Sequence, residues 1–169
     1  MTSIKKVAVL GSGVMGSGIA AQVANAGIPV LLLDIPAKEG GRNALAEKAV
    51  EKQISAKPPG FVHKKAAKLL TVGNLEDDIK KLADCDLIIE ALLERLDVKH
   101  DVYRKIDAVR KPTAVVSSNT STLPLAELTK GMSEGFASHF MITHFFNPPR
   151  FMRLLEVVQG QASDEAYKA

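Results

Sequence analysis

Val7-Ala8-Val9-Leu10-Gly11-Ser12-Gly13-Val14-Met15-Gly16 is the stretch that decides the fold. Its four opening apolar residues have no polar alternation, the pattern of a strand buried on both faces. A glycine-spaced turn follows at once. Residues 15–26 are rich in Ala, Met and Ile and are stopped by Gly27, which predicts a helix with a glycine just past its end. Val30-Leu31-Leu32-Leu33-Asp34 then predicts a second buried strand. Strand, glycine turn, helix and strand within 34 residues make a βαβ unit.

The turn reads G-x-G-x-x-G, a weak signal alone and a strong one in this setting, after a buried strand and at the start of a helix. Gly11 permits the tight turn, Gly13 lets the backbone approach a pyrophosphate, and Gly16 allows close packing of helix on strand. The whole loop, with Ser12, Val14 and Met15, is therefore a candidate cofactor contact. The helix start offers unpaired N–H groups and the positive end of the helix dipole to an anion. Asp34 ends the second strand, 18 residues beyond Gly16, and is placed to accept from ribose hydroxyls. A carboxylate there repels a 2′-phosphate, and no arginine follows directly, so NAD is expected over NADP. The plain alternative makes the glycines turn residues and Asp34 a strand end.

Outward from this unit the periodic segments continue to alternate. Residues 43–56 are dense in Ala, Glu and Lys, Pro58-Pro59-Gly60 breaks them, and residues 62–70 look helical again, so a helical hairpin is expected to project from the sheet. Strands are predicted at 70–73, 87–90, 114–117, 140–146 and 154–158, and helices at 75–82, 98–109 and 125–128. The expectation is an α/β fold of Rossmann type, a doubly wound, mostly parallel sheet with a projecting helical hairpin. Residues 1–169 read as one domain. Ser163, Asp164 and Glu165 look like the cap and first turn of a further helix, which suggests a chain that continues.

Composition is compatible with this and excludes other classes. Hydrophobic residues make up 46% and aromatic residues 5%, so the core is aliphatic. The net charge of +3 comes from interspersed Lys, Arg, Asp and Glu, which does not suggest a nucleic-acid surface. The single cysteine, Cys85, excludes an internal disulfide and fits a reducing compartment. No signal peptide or apolar run of membrane-spanning length is present, so a cytoplasmic location is expected. Metal-ligand spacings are absent, and no metal is expected.

Two polar groupings remain. Ser117-Ser118-Asn119-Thr120-Ser121 follows a predicted strand, where open α/β sheets bind ligands, but the same residues equally suit a capped turn. His144 lies twelve residues before Glu156, an acid in an apolar strand that needs a partner if buried. Together they suit a general base with an orienting carboxylate, or a structural pair. His63, His100 and His139 lack such a setting. Asp84 and Asp86 flank Cys85 and would raise its thiol pKa.

Gly-Ser-Gly-Val-Met-Gly-Ser-Gly-Ile-Ala from Gly11, Ile-Ile-Glu-Ala from Ile88, Ser-Asn-Thr-Ser from Ser118, and His-Phe-Phe-Asn-Pro-Pro with Leu-Glu-Val-Val from His144 resemble the 3-hydroxyacyl-CoA dehydrogenase family. The resemblance runs from about Lys6 to Gly160. It implies that His144 takes the proton of a substrate 3-hydroxyl and that Glu156 orients it. It implies that Ser121 and Asn147 lie near the nicotinamide and the reacting oxygen, and that Glu94 and Lys99 contact NAD. The implied reaction is NAD-dependent oxidation of a 3-hydroxyacyl-CoA thioester to 3-ketoacyl-CoA in fatty-acid beta-oxidation. The helical arm with Lys48, Lys52, Lys57, Lys64 and Lys65 is similar to the region that meets CoA. Family members continue into a helical C-terminal domain that closes the cleft and forms a homodimer, so the chain alone is expected to be weakly active or inactive. Residues 143–158 look closest to long relatives fused to an enoyl-CoA hydratase domain. The rivals are a lambda-crystallin-like gulonate dehydrogenase, against which Phe145, Phe146 and Leu155 weigh, and a non-catalytic nucleotide-binding module, against which the His144–Glu156 pair weighs.

Overall fold

The computed structural model describes residues 4–160. At its centre is the expected βαβ unit: strand β1 (Val7–Leu10), helix α1 (Val14–Asn25) and strand β2 (Val30–Asp34). The other strands are β3 (Leu70–Asn74), β4 (Leu87–Glu90), β5 (Val115–Ser118), β6 (Phe140–Phe145) and β7 (Leu155–Gln159). One seven-stranded sheet results, in the order β3-β2-β1-β4-β5-β6-β7. Every neighbouring pair is parallel except β6 and β7, which are antiparallel. The chain winds outward from β1 to β3, returns to place β4 beside β1, and winds outward the other way. That reversal opens a crevice at the carboxyl ends of β1 and β4, the place where such sheets bind ligands.

The short apolar strands hold because both faces are covered. Ala8, Leu10, Leu31, Leu33 and Ile88 enter one core, with Tyr103 and Ile106 of α3 (Leu96–Asp107). Val7, Val9, Val30, Leu32 and Ile89 enter the other, with Ile19, Ala20 and Ala24 of α1. Alternate residues of one strand thus serve opposite cores, as the period of two requires. The small residues of α1 bring its axis close to the sheet, and truncating Leu32 or Leu33 to Ala would cost about 2–5 kcal/mol. Tyr103, Phe136 and Phe140 add an aromatic knot, with ring centroids 5.3–5.5 Å apart.

Several expectations are corrected. Helix α2 (Ala44–Ser55) forms as the first leg of the expected hairpin, but the second leg is a run of bends ending in a 3-10 turn at Ala66–Leu69. Tertiary bonds fix the backbone at the break and the first residue of that leg: the Asn25 amide donates to Gly60 O and accepts from Val62 N, and Arg150 donates to Pro59 O and Phe61 O. The helix expected at 75–82 is a 3-10 turn at Ile79–Asp84. Asn74 Oδ1 accepts from Glu76 N and Asp77 N, so a side-chain turn occupies the first of those residues. Two short helices complete the described residues, α4 (Leu125–Leu128) and α5 (Glu134–Ser138). The sequence reading missed α5, although Ser133 and Glu134 are a cap and an acidic first turn, and Ser133 Oγ accepts from Phe136 N at 3.1 Å. The helix expected from Ser163 lies outside the described residues. Among the described residues, no helix is long and apolar enough to cross a membrane.

Candidate active site

The glycine loop joins β1 to α1 beside the crevice. Gly11 has φ +99°, a left-handed conformation, and a Cβ there would lie 2.5 Å from Ala91 O. A Cβ on Gly16 would overlap the carbonyl oxygen of Gly11. These two glycines are required by the fold itself. Gly13 differs: it is exposed, and nothing lies within 4 Å of where its Cβ would be. It caps α1 without any side-chain bond, and no acid stands in the first turn. The helix start therefore presents its amides and dipole to open space. A cavity of about 260 Å³ adjoins it, lined by Ser12, Gly13, Val14, Ser17, Lys52 and Gln53. Met15, next in the loop, is half-buried and packs toward the α1 core.

Asp34 reaches this loop from the end of β2. Its Oδ2 accepts from Ser12 N at 2.6 Å and from Ser12 Oγ, and its Oδ1 accepts from Ile35 N at 2.7 Å. The carboxylate is thereby held at the mouth of the loop, with lone pairs left for sugar hydroxyls. The residues present fit NAD: an open, uncapped helix start for a diphosphate, an unobstructed Gly13, and an acid in place for a ribose.

On the far side of the crevice, antiparallel pairing sets His144 of β6 directly opposite Glu156 of β7. His144 Nδ1 lies 2.8 Å from Glu156 Oε2. Glu156 is not the buried acid the sequence suggested: its side chain is 53% exposed, and all of β7, at one edge of the sheet, is exposed. His144 is more sheltered, at 21%, and its ring packs on Phe146 with centroids 4.6 Å apart. A cleft of about 230 Å³ joins Ser121, Thr122, His144 and Glu156. With the carboxylate as acceptor, Nδ1 carries the proton and Nε2 keeps its lone pair, the arrangement of a base that can take a proton from a bound hydroxyl.

The remaining expected residues divide. Ser121 is exposed in this cleft. Asn147 is exposed too, but lines a neighbouring recess with Val14, Gly18 and Gln53. Glu94 is exposed between the two halves, where Thr120 Oγ1 and Thr122 Oγ1 donate to it. Burial alone would raise its pKa, but the Thr120 bond and the Lys99 charge outweigh this and hold the carboxyl below its ordinary range. Lys99 lies deeper than the other expected contacts. Its side chain is 1% exposed, 2.7 Å from Glu90 and 3.2 Å from Glu94, so it sits beneath the surface rather than on it. Lys48, Lys52, Lys57, Lys64 and Lys65 are all exposed, and among the described residues none enters an ion pair. Lys52 flanks the cavity at Gly13, so it faces the dinucleotide loop.

Two residues that the sequence placed only within motifs, Glu90 and Asn119, have roles it did not assign. Glu90, at the end of β4, is fully buried, and its sequence signals were an acid closing an apolar strand and its place in Ile-Ile-Glu-Ala. Asn119 accepts from Phe145 N at 2.8 Å and so ties the polar turn to the strand of the base. That turn serves both readings left open: Ser117, Ser118 and Thr120 are buried and bonded inward, while Ser121 and Thr122 face out. Cys85 takes no part. Its thiol is pushed up to about 11, chiefly by burial, with the flanking aspartates contributing less.

Comparison with known proteins follows the same geometry. Residues 6–169 match the family described as "3-hydroxyacyl-CoA dehydrogenase, NAD binding domain". A Deinococcus radiodurans protein named "Probable 3-hydroxyacyl-CoA dehydrogenase" is 53% identical over 163 residues, which cover 95% of this chain and 47% of that protein. A Psychrobacter protein named "Fatty acid oxidation complex subunit alpha" is 33% identical over 168 residues, 96% of this chain and 22% of that one. The crystal structure of 3-hydroxybutyryl-CoA dehydrogenase from Escherichia coli K12 superposes with a TM-score of 0.85 at 31% identity, covering 99% of this chain and 35% of that chain. The chain thus spans about half or less of the length of these relatives.

Proposed function

The chain belongs to the family of 3-hydroxyacyl-CoA dehydrogenase NAD-binding domains, and from that premise we propose that it serves NAD-dependent oxidation of a 3-hydroxyacyl-CoA to the 3-ketoacyl-CoA in fatty-acid oxidation. The single observation that carries this reading is the 2.8 Å pairing of His144 Nδ1 with Glu156 at the cleft that also holds Ser121. A domain that only bound a nucleotide would have no use for an oriented imidazole there.

In this reading the amides at the start of α1 hold the diphosphate, Asp34 the adenosine ribose, and Glu94 the opposite end of the cofactor. NAD, when bound, supplies the hydride acceptor. His144 Nε2 removes the proton of the substrate hydroxyl, and Glu156 stabilises the imidazolium that results. Ser121 and Asn147 hydrogen-bond near the reacting oxygen and the nicotinamide. The exposed lysines of α2 and the following bends serve CoA phosphates, with Lys52, beside the glycine loop, also meeting the cofactor diphosphate.

β7, which lines the cleft beside His144, is exposed throughout, and the Deinococcus and Escherichia coli relatives are about twice as long or longer. Those facts support a substrate site completed by a further helical domain, with a homodimer formed through it. The match to a fatty acid oxidation complex subunit supports a parent fused to an enoyl-CoA hydratase domain. A cytoplasmic setting agrees with a lone buried cysteine.

The test is His144→Gln in a protein of the relatives' length. NADH formation from 3-hydroxybutyryl-CoA should fall about a thousandfold, within the range for a lost general base, while NADH affinity changes less than about twofold. Turnover that survives the substitution overturns the assignment. The 169-residue chain alone is expected to bind NADH and turn over poorly.

A further inference from the structure

Glu90 ends β4, the strand beside the crevice, with Leu10 opposite it on one side and Ser118 on the other. Its carboxylate is completely buried. Oε1 accepts from Leu92 N at 2.6 Å and Lys99 Nζ at 2.7 Å, and Oε2 accepts from Tyr103 OH and Ser118 Oγ, both at 2.7 Å. Two donors on each oxygen leave the group fully satisfied, which its burial demands. Replacing such an arrangement by apolar side chains is often neutral for stability, so fold stability alone is a weak reason for it.

Its connections run toward the site. Lys99 passes from Glu90 to Glu94 Oε2 at 3.2 Å. Glu94 Oε1 accepts from Thr120 Oγ1, and that hydroxyl in turn accepts from Leu123 N at 3.0 Å, closing the turn that carries Ser121. The main chain repeats the link, because Glu90 O accepts from Asn119 N at 2.7 Å. Asp34 lies outside this chain of bonds, and the glycine loop meets it through the Ala91 N–Leu10 O bond and the packing of Gly11 and Gly16 on Ala91 and Leu92 rather than through any side-chain hydrogen bond.

We propose that Glu90 is a positioning residue for the nicotinamide half of the cofactor: acting through Lys99 and Ser118, it fixes the loops after β4 and β5 so that Glu94 and Ser121 stand at the correct spacing. This rests on the NAD reading above and extends it to a buried residue that touches neither cofactor nor substrate. Glu90→Gln keeps the shape, removes the charge, and sets an amide N–H against groups that now donate. Lys99 is left with Glu94 as its one carboxylate, which draws Glu94 inward.

The experiment compares two ligands on the same folded protein. ADP reads the helix start and Asp34; NADH reads these and the nicotinamide half. For Glu90→Gln, NADH should bind at least tenfold more weakly while ADP affinity stays within about twofold. Should Glu90→Gln fail to fold, Ser118→Ala removes one donor to the same carboxylate, and about a threefold loss for NADH with ADP unchanged is expected. Equal losses for both ligands, or none for either, in a variant with native circular dichroism and cooperative melting overturn the inference. Parent protein that binds neither ligand overturns the NAD reading itself, and this inference with it.

Discussion

His144 and Glu156 meet as registered partners across β6 and β7, with Nδ1 2.8 Å from Oε2 although Glu156 is half-exposed. An exposed carboxylate contributes little through charge alone, so its value lies in fixing the ring's tautomer and direction. Glu156→Gln in the longer protein should lower kcat about 10–100-fold, less than loss of the base itself, with KM for NAD nearly unchanged. Steady-state kinetics with 3-hydroxybutyryl-CoA check this, and a kcat equal to the parent's would remove Glu156 from the mechanism.

Gly13 and Gly16 should separate binding from folding. Gly16→Ala places a methyl against the Gly11 carbonyl and should destabilise by about 3 kcal/mol or more. Gly13→Ala meets nothing in the free protein, where φ is −60°, and should cost less than about 1 kcal/mol as a cap change. Yet its methyl occupies the approach to the helix start, so NADH affinity should fall about tenfold. Urea denaturation and NADH titration of the two variants measure the contrast.

Asp34→Ala should weaken NADH binding about tenfold and raise NADPH binding relative to NADH, because the acid that repels a 2′-phosphate is gone. Lys52→Ala should weaken NADH binding about threefold to fivefold at low ionic strength, with the difference disappearing near 1 M salt as screening sets in. A lysine that serves only CoA would leave NADH affinity untouched at every salt concentration.

Asp86, just before β4, ties the start of β1 to the segment that leads into β5. It accepts from Lys111 Nζ at 2.5 Å and from Lys5 N and Lys6 N, and the Lys111 bond, ahead of those backbone bonds, holds its pKa below the usual 3.8. A depressed carboxyl pKa stabilises the fold above the unfolded value, and that contribution is lost as pH falls through the folded one. Asp86→Asn should therefore cost about 1 kcal/mol at pH 7, with the gap from the parent closing only below about pH 3.8. Urea midpoints across that range give the comparison, and a gap constant with pH would contradict it.

Cys85 is fully buried and its thiol is raised to about 11, so a disulfide reagent should modify it at pH 7.5 only at the rate of unfolding, and quickly in urea. Rapid labelling of the native protein would mean that the 3-10 turn covering it opens.

The βαβ unit, the strand positions and the dinucleotide loop were legible in the sequence because their causes are local. A short apolar run with both faces buried, glycines where a Cβ would strike backbone, and an acid at a strand end each state their requirement within a few residues. Tertiary structure decided the rest, for reasons no local window contains. Asn25 and Arg150 fixed the backbone of residues 59–62, where the second leg of the expected hairpin begins. Antiparallel register put His144 opposite an acid twelve residues away and left that acid in solvent at the sheet edge. Lys99, which resembled a cofactor contact, was drawn under the surface by Glu90, because a carboxylate buried at the end of a central strand has to gather every donor its neighbours can offer.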